Sequence, residues 1–231
     1  MNESDPRPFL IDAAQQFYQR RWMYGTAGNL SARLEDGSFW ITASGRGKGN
    51  LTERDFVRLV PSEQDFVLAT EQPQPPPRPS AETSIHQAIY QLFPTVRACF
   101  HVHSIEANLV ASGAVGGELA LPPLEMLKGF GLWQEHPQVA ISVFANHLEV
   151  PKIAREIVDR FTTLTPSVPA LLIANHGVTV WGESLLETFH RLEIAEYIFS
   201  YMVLQKKTFS WLPTNSAPDY LLKRDGDRGQ N

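Results

Sequence analysis

Phe100-His101-Val102-His103-Ser104 closes an apolar run that begins at Val96 and reads as a buried strand, and Ser104 opens a helix expected to reach about Ser112. Side chains two apart on a strand leave from the same face, so His101 and His103 stand side by side at its end. Two imidazoles so placed can grip one metal ion. They equally suit two hydrogen-bonded histidines at a sheet edge, and the pair alone leaves both readings open.

A second apolar run, Ala170–Ala174, leads straight into Asn175-His176-Gly177, after which Val178–Trp181 resumes strand character. Gly177 suits a turn that presents the His176 ring at the strand's end. A lone histidine in such a turn is commonly structural. It gains weight here because His101 and His103 leave a catalytic metal one protein ligand short, and three histidines with an open position make a Lewis-acid zinc site.

Upstream of the His101 strand, Ser80-Ala81-Glu82 opens a helix to about Phe93, ended by Pro94. Ser80 is expected as its N-cap and Glu82 in its first turn, where the helix dipole favours an acid. That structural role is complete in itself. The functional alternative has the helix start receiving an anion and Glu82 facing the metal as acid/base. Gly28-Asn29-Leu30-Ser31 and Ala43-Ser44-Gly45-Arg46-Gly47-Lys48-Gly49 both fall at strand boundaries. Their backbone N–H groups, hydroxyls and cations suit a phosphate. They match no Walker A or dinucleotide fingerprint, and they also suit plain turns. In Leu124-Glu125-Met126-Leu127-Lys128-Gly129, Glu125 is either half of a surface i,i+3 pair with Lys128 or a carboxylate held over the metal; the spacing does not decide. His86, His136, His147 and His190 are read as structural or solvent-facing.

Around these segments the pattern predicts a helix after Asp5-Pro6, with Asp5 as N-cap, to about Arg21. Short strands follow at 30–34, 38–43 and 56–60, the first two joined at an Asp36-Gly37 hairpin turn. Residues 72–79, QPQPPPRP, form an exposed loop, and 113–123 a Gly- and Pro-rich one. A strand at 139–144, a helix at 151–161 and a long helix at 185–207 complete the chain. Strands and helices interleave, so an α/β/α layered domain is expected over residues 1–212, with a polar tail over 213–231. Periodicity leaves the strand pairing open.

The chain has 231 residues, 43% hydrophobic and 19% charged, with a formal net charge of −5. That balance argues against a nucleic-acid partner, which needs a basic face, while a locally positive pocket for a small anion remains compatible. Cys99 is the one cysteine, so no intrachain disulfide forms. No apolar run approaches the ~20 residues of a membrane span and the N-terminus lacks a signal-peptide core, so no membrane partner and a cytoplasmic location are expected.

Taken in order, GNLSAR (28–33), ITASGRGK (41–48), PSAE (79–82), HVHS (101–104) and ANHG (174–177) resemble the class II aldolase/epimerase family, over about residues 9 to 207. The resemblance implies a three-layer α/β/α fold with a central mixed or antiparallel sheet. It implies one zinc ion per subunit on His101, His103 and His176, and a small phosphorylated sugar as substrate. Asn29, Ser44, Gly45 and Ser80 would bind the phosphate, with Lys48 adding charge. It also implies a homotetramer with active sites between subunits. In the family's aldolases the glutamate at the position of Glu82 is the acid/base. The segments CFHVHS, LEMLKG and NHGVTVWGE are most similar to the family's dehydratases, whose animal members place the acid/base at the position of Glu125 and have cysteine at that of Glu82. The expectation is therefore a zinc-dependent hydro-lyase with Glu125 as principal acid/base, and Glu82 assisting it or ligating zinc when substrate is absent. A sugar-phosphate aldolase or epimerase is the enzymatic alternative. A non-catalytic adducin-like assembly module is the other, disfavoured because all three histidines are present.

Overall fold

Alternation along the central strands sorts the core onto two faces. In β5 (Ala98–Val102), Ala98, Phe100 and Val102 join one apolar cluster and Cys99 joins the other. The computed structural model describes residues 5–63, 65–70, 75 and 77–211, and among these nine strands form one sheet. The others are β1 (Asn29–Arg33), β2 (Phe39–Thr42), β3 (Phe56–Pro61), β4 (Phe66–Leu68), β6 (Glu118–Ala120), β7 (Ala140–Phe144), β8 (Ala170–Ile173) and β9 (Gly177–Gly182). Their order is β4-β3-β2-β1-β5-β9-β8-β7-β6. Every pairing is antiparallel except β7 with β8, so the sheet is mixed. The parallel pair follows from its connection: α4 (Val150–Thr163) carries the chain back between β7 and β8, as a parallel crossover requires.

Helices α1 (Arg7–Gln19), α3 (Ile105–Ala111) and α5 (Leu185–Trp211) cover one face, through Leu10, Phe17, Val110, Leu192 and Phe199. Helices α2 (Thr83–Leu92) and α4 cover the other, through Ile85, Ile89, Ile153 and Ile157. This is the expected α/β/α sandwich. Aromatic stacking fills both layers, Phe17 on Phe189 at 5.0 Å and Phe93 on Trp181 at 5.4 Å between ring centroids.

Several local expectations need correcting. Helix α2 begins at Thr83, so Glu82 rather than Ser80 holds the N-cap position and lies outside the first turn. Ser80 instead makes the turn ahead of the helix, its carbonyl accepting from Thr83 N–H at 3.2 Å and its hydroxyl from Glu82 N–H at 3.3 Å. In α1 the N-cap position is Pro6, while the Asp5 carboxylate still accepts the Arg7 N–H at 3.0 Å. Segment 113–123 contains β6, a three-residue strand hidden by the glycines and prolines around it. Strand β4, equally short, lies at the opposite sheet edge. Half of the proline-rich loop, residues 72–74 and 76, falls outside the described residues, while Pro79 bridges Ala43. The 213–231 tail lies outside them. No helix among the described residues is long and apolar enough to cross a membrane.

Candidate metal centre

His101 lies opposite Asn29 of β1 and Thr179 of β9, in the middle of the sheet and on its α2 face. It is fully buried, and its Nδ1 lies 2.9 Å from Thr179 Oγ1. That contact turns Nε2 outward, the way a supporting hydrogen bond orients a metal-ligating histidine. His103 continues the same face just past the end of β5, its backbone N–H bonded to the Trp22 carbonyl at 2.9 Å. His176 arrives from the β8–β9 turn. The left-handed residue in that turn is Asn175, at φ 54°, not Gly177. Gly177 is required for a different reason: a Cβ there would run into the Val102 carbonyl, so glycine lets β9 start against the end of the His101 strand.

The three imidazoles and the Glu82 carboxylate each offer one atom, all within 4.8 Å of one another. His101 Nε2 is 2.8 Å from His103 Nε2, and His176 Nε2 is 2.8 Å from Glu82 Oε1. His101 and His103 stand 3.6 and 3.7 Å from the same carboxylate. Nitrogen ligands at ~2.0–2.1 Å from a tetrahedral zinc sit about 3.3 Å apart, so the His101–His103 pair needs only slight spreading to share the ion. Burial holds the His101 pKa well below the usual imidazole range, leaving the uncharged ring a metal requires. His176 Nδ1 is buried with no hydrogen-bond partner, so among the described residues no second hydrogen bond orients that ring. The donor set fits a divalent cation of the zinc type.

Glu82 shows how strongly this centre is polarised. Burial pushes its pKa up, but His101, His103 and His176 outweigh burial and hold the carboxyl far below the usual range. Its other oxygen, Oε2, accepts from Asn29 Nδ2, while Asn29 Oδ1 meets His86 Nε2. His86, read from the sequence as structural or solvent-facing, is completely buried and connected to the centre. Neither His86 nor Thr179 carries a sequence signal of that connection, because both depend on strand and helix pairing.

The residues expected to bind phosphate lie beside this group in two sets. Ser44 and Gly45 are exposed, and Ser44 N–H bonds the Arg78 carbonyl at 2.8 Å, which places them against the half-buried Ser80 turn. Asn29 and Lys48 are enclosed, each 1% exposed. The Lys48 ammonium donates to the Thr26 and Arg46 carbonyls, both at 2.8 Å, and burial lowers its pKa to about 8. Lys48 therefore pins the loop from beneath with two of its three N–H donors. Gly28 closes this corner, with φ 79° and a Cβ position 2.9 Å from the His101 carbonyl.

Glu125 is not gathered into the centre. It begins a short 3-10 helix, Glu125–Phe130, with its side chain 76% exposed and paired with Lys128 at 3.1 Å. Its neighbour Met126 lines a cleft of about 550 Å³ with Arg20, Trp22, Ile194, Glu196 and Tyr197. Trp22 links that cleft to His103 through the backbone bond above. Glu196 is 1% exposed with neither oxygen hydrogen-bonded; burial raises its pKa to about 8, against the partial pull of the Ser104 hydroxyl.

The family model for the Class II Aldolase and Adducin N-terminal domain matches residues 9–203, and the chain belongs to that family. Within it, the chain is similar to methylthioribulose-1-phosphate dehydratase of Microcystis aeruginosa, 62% identical over 200 residues that cover 87% of this chain and 96% of the relative. The corresponding enzyme of Leptospira biflexa is 45% identical, over 80% of this chain and 90% of the relative. Among solved structures, YgbL from Escherichia coli aligns with a TM-score of 0.70 at 25% identity, covering 86% of this chain and 88% of that one. L-fuculose-1-phosphate aldolase from Thermus thermophilus shares the fold, with a TM-score of 0.69 at 20% identity over 89% and 96% of the two chains.

Proposed function

We propose that the chain is a zinc-dependent hydro-lyase of methionine salvage that converts 5-methylthioribulose 1-phosphate to 2,3-diketo-5-methylthiopentyl 1-phosphate. The observation that carries this reading is the convergence of His101, His103 and His176 with Glu82 on one point of the sheet. The choice of substrate within the family is supported by the relatives' names.

His101, His103 and His176 would hold the ion, which when bound supplies Lewis-acid stabilisation of the charge that develops as the substrate loses its C3 proton. Ser44 and Gly45, exposed, and the half-buried Ser80 offer donors for the phosphate, with Asn29 and Lys48 enclosed behind them. We assign the proton transfers to Glu125. Glu82 has both oxygens engaged by Asn29 and His176, whereas Glu125 holds only a surface ion pair with Lys128. An acid/base must be free to take the C3 proton and hand it to the departing C4 hydroxyl, which leaves as water. Glu82 acts as the anion that draws the three imidazoles together.

The same reading carries a homotetramer with active sites between subunits, in the cytoplasm. Exposed apolar side chains on α3 and α5, Ile105, Leu109, Tyr197, Tyr201 and Leu204, support an assembly face there. Sedimentation of the purified protein tests the subunit count.

The deciding experiment combines metal analysis with turnover of 5-methylthioribulose 1-phosphate. Metal-dependent diketone formation is expected. Release of dihydroxyacetone phosphate from a ketose phosphate, without diketone formation, would establish the aldolase alternative. Protein with neither metal nor turnover would point to an assembly module.

A further inference from the structure

The Glu82 carboxylate stands at one end of a buried polar chain that crosses from α2 to β1 and back. Tyr90 and Ser31 hydroxyls are 2.7 Å apart, and Ser31 Oγ is 2.7 Å from His86 Nδ1. His86 Nε2 meets Asn29 Oδ1, and Asn29 Nδ2 donates to Glu82 Oε2. Ser31 and His86 are 0% exposed, Asn29 1% and Tyr90 2%, so no solvent can substitute for a missing partner.

In such a chain each donor assignment forces the next. A carboxylate accepts only, so Asn29 must turn its NH2 toward Glu82. That leaves Asn29 Oδ1 facing His86, and Oδ1 also only accepts, so the hydrogen on His86 must be on Nε2. An uncharged imidazole carries one hydrogen, which leaves Nδ1 bare to accept from Ser31. Burial keeps the ring uncharged, its pKa lowered to about 4. The Ser31 hydroxyl has the Cys99 carbonyl as its other acceptor, at 3.4 Å, and takes the shorter bond to His86. If His86 carried its hydrogen on Nδ1, the Asn29 amide would have to flip and put oxygen against the Glu82 carboxylate.

We propose that His86 is a positioning residue for the metal centre: its Nε2–H holds the Asn29 amide in the one orientation that supports Glu82 among the three imidazoles. The residue is fully buried, hydrogen-bonds Ser31 and Asn29, and acts through Asn29. The inference rests on the reading of Glu82 as part of the metal centre, and it adds a determinant from the middle of α2.

Two measurements test it. In the metal-loaded protein as purified, 15N NMR of labelled histidine should show His86 with a protonated Nε2 and a bare Nδ1, the resonance being assigned by its loss in His86→Gln. An Nδ1–H tautomer or a doubly protonated ring overturns the proposal. In chelator competition, His86→Leu should weaken metal binding about 10–100-fold, the range for groups that support metal ligands. His86→Gln, whose terminal amide reaches about as far and keeps a donor toward Asn29, should restore affinity close to that of the unaltered protein. Equal impairment in both variants, or unchanged affinity in His86→Leu, overturns the proposal. If His86→Leu does not fold, the tautomer measurement decides alone. Absence of dehydratase turnover in the unaltered protein would overturn the functional reading without changing the tautomer result.

Discussion

Glu82 and Glu196 are both carboxylates drawn in from solvent, and their surroundings drive them in opposite directions. Glu82 meets three imidazoles and the Asn29 amide and is held far below the usual carboxylate range. Glu196 is buried on α5 with neither oxygen hydrogen-bonded and is pushed up to about 8. Burial acts on both in the same sense, so the donors decide the charge state. Glu125 is the third member of the comparison. It is exposed and holds only the surface ion pair with Lys128, and that freedom is why the proton transfers are assigned to it.

The comparison can be broken at its strongest point first. His101→Ala removes the ligand at the centre of the sheet and should abolish stoichiometric metal binding, lowering turnover by about 10³-fold or more, as expected when Lewis-acid stabilisation worth several kcal/mol is lost. Metal analysis and turnover of the same preparation check this, and full activity in a metal-free variant would defeat the mechanism. Next comes Glu125→Gln, expected to keep its metal while kcat falls about 100-fold or more. Glu82→Gln should weaken metal affinity by about 50-fold, because its contribution is to the centre and not to the proton transfers. If Glu82→Gln is crippled with metal fully bound while Glu125→Gln turns over normally, the two roles are reversed.

The smallest effect concerns Glu196. Its folded-state pKa, about 8, lies above that of an unfolded-chain glutamate. The protonated form's stabilising contribution is therefore complete below the unfolded value of about 4.3 and is lost as pH rises through about 8. Glu196→Gln removes this penalty. The variant should gain more stability over the unaltered chain at pH 8 than at pH 5, read from denaturant midpoints at both values. A gain independent of pH would show that Glu196 is not protonated in the fold.

How much of the centre could be read along the chain depended on whether the signal was local. His101 and His103 were legible because the two-residue period of a strand puts them on one face whatever the sheet does. His176 was legible as a histidine in a turn after an apolar run, and resemblance to a family joined the three. The Ser80 cap was misjudged by two residues: a serine ahead of an acid suits either a cap or a preceding turn, and the bridge of Pro79 to Ala43, just past β2, holds this one as a turn. Lys48 looked like a phosphate ligand from its glycine-rich surroundings. Its enclosure by the Thr26 and Arg46 carbonyls depends on how two distant loops fold together.

By itself the amino-acid order determined the alternation of strands and helices, the shared face of His101 and His103, and the family, since each rests on periodicity or on short ordered motifs. Only the tertiary structure decided the strand order, the partnership of His101 with Thr179, the burial of His86 and the separation of Glu82 from Glu125. Those features depend on which strands become neighbours. A hydrogen bond spanning 78 residues, like that of His101 to Thr179, leaves no local trace in the chain that makes it.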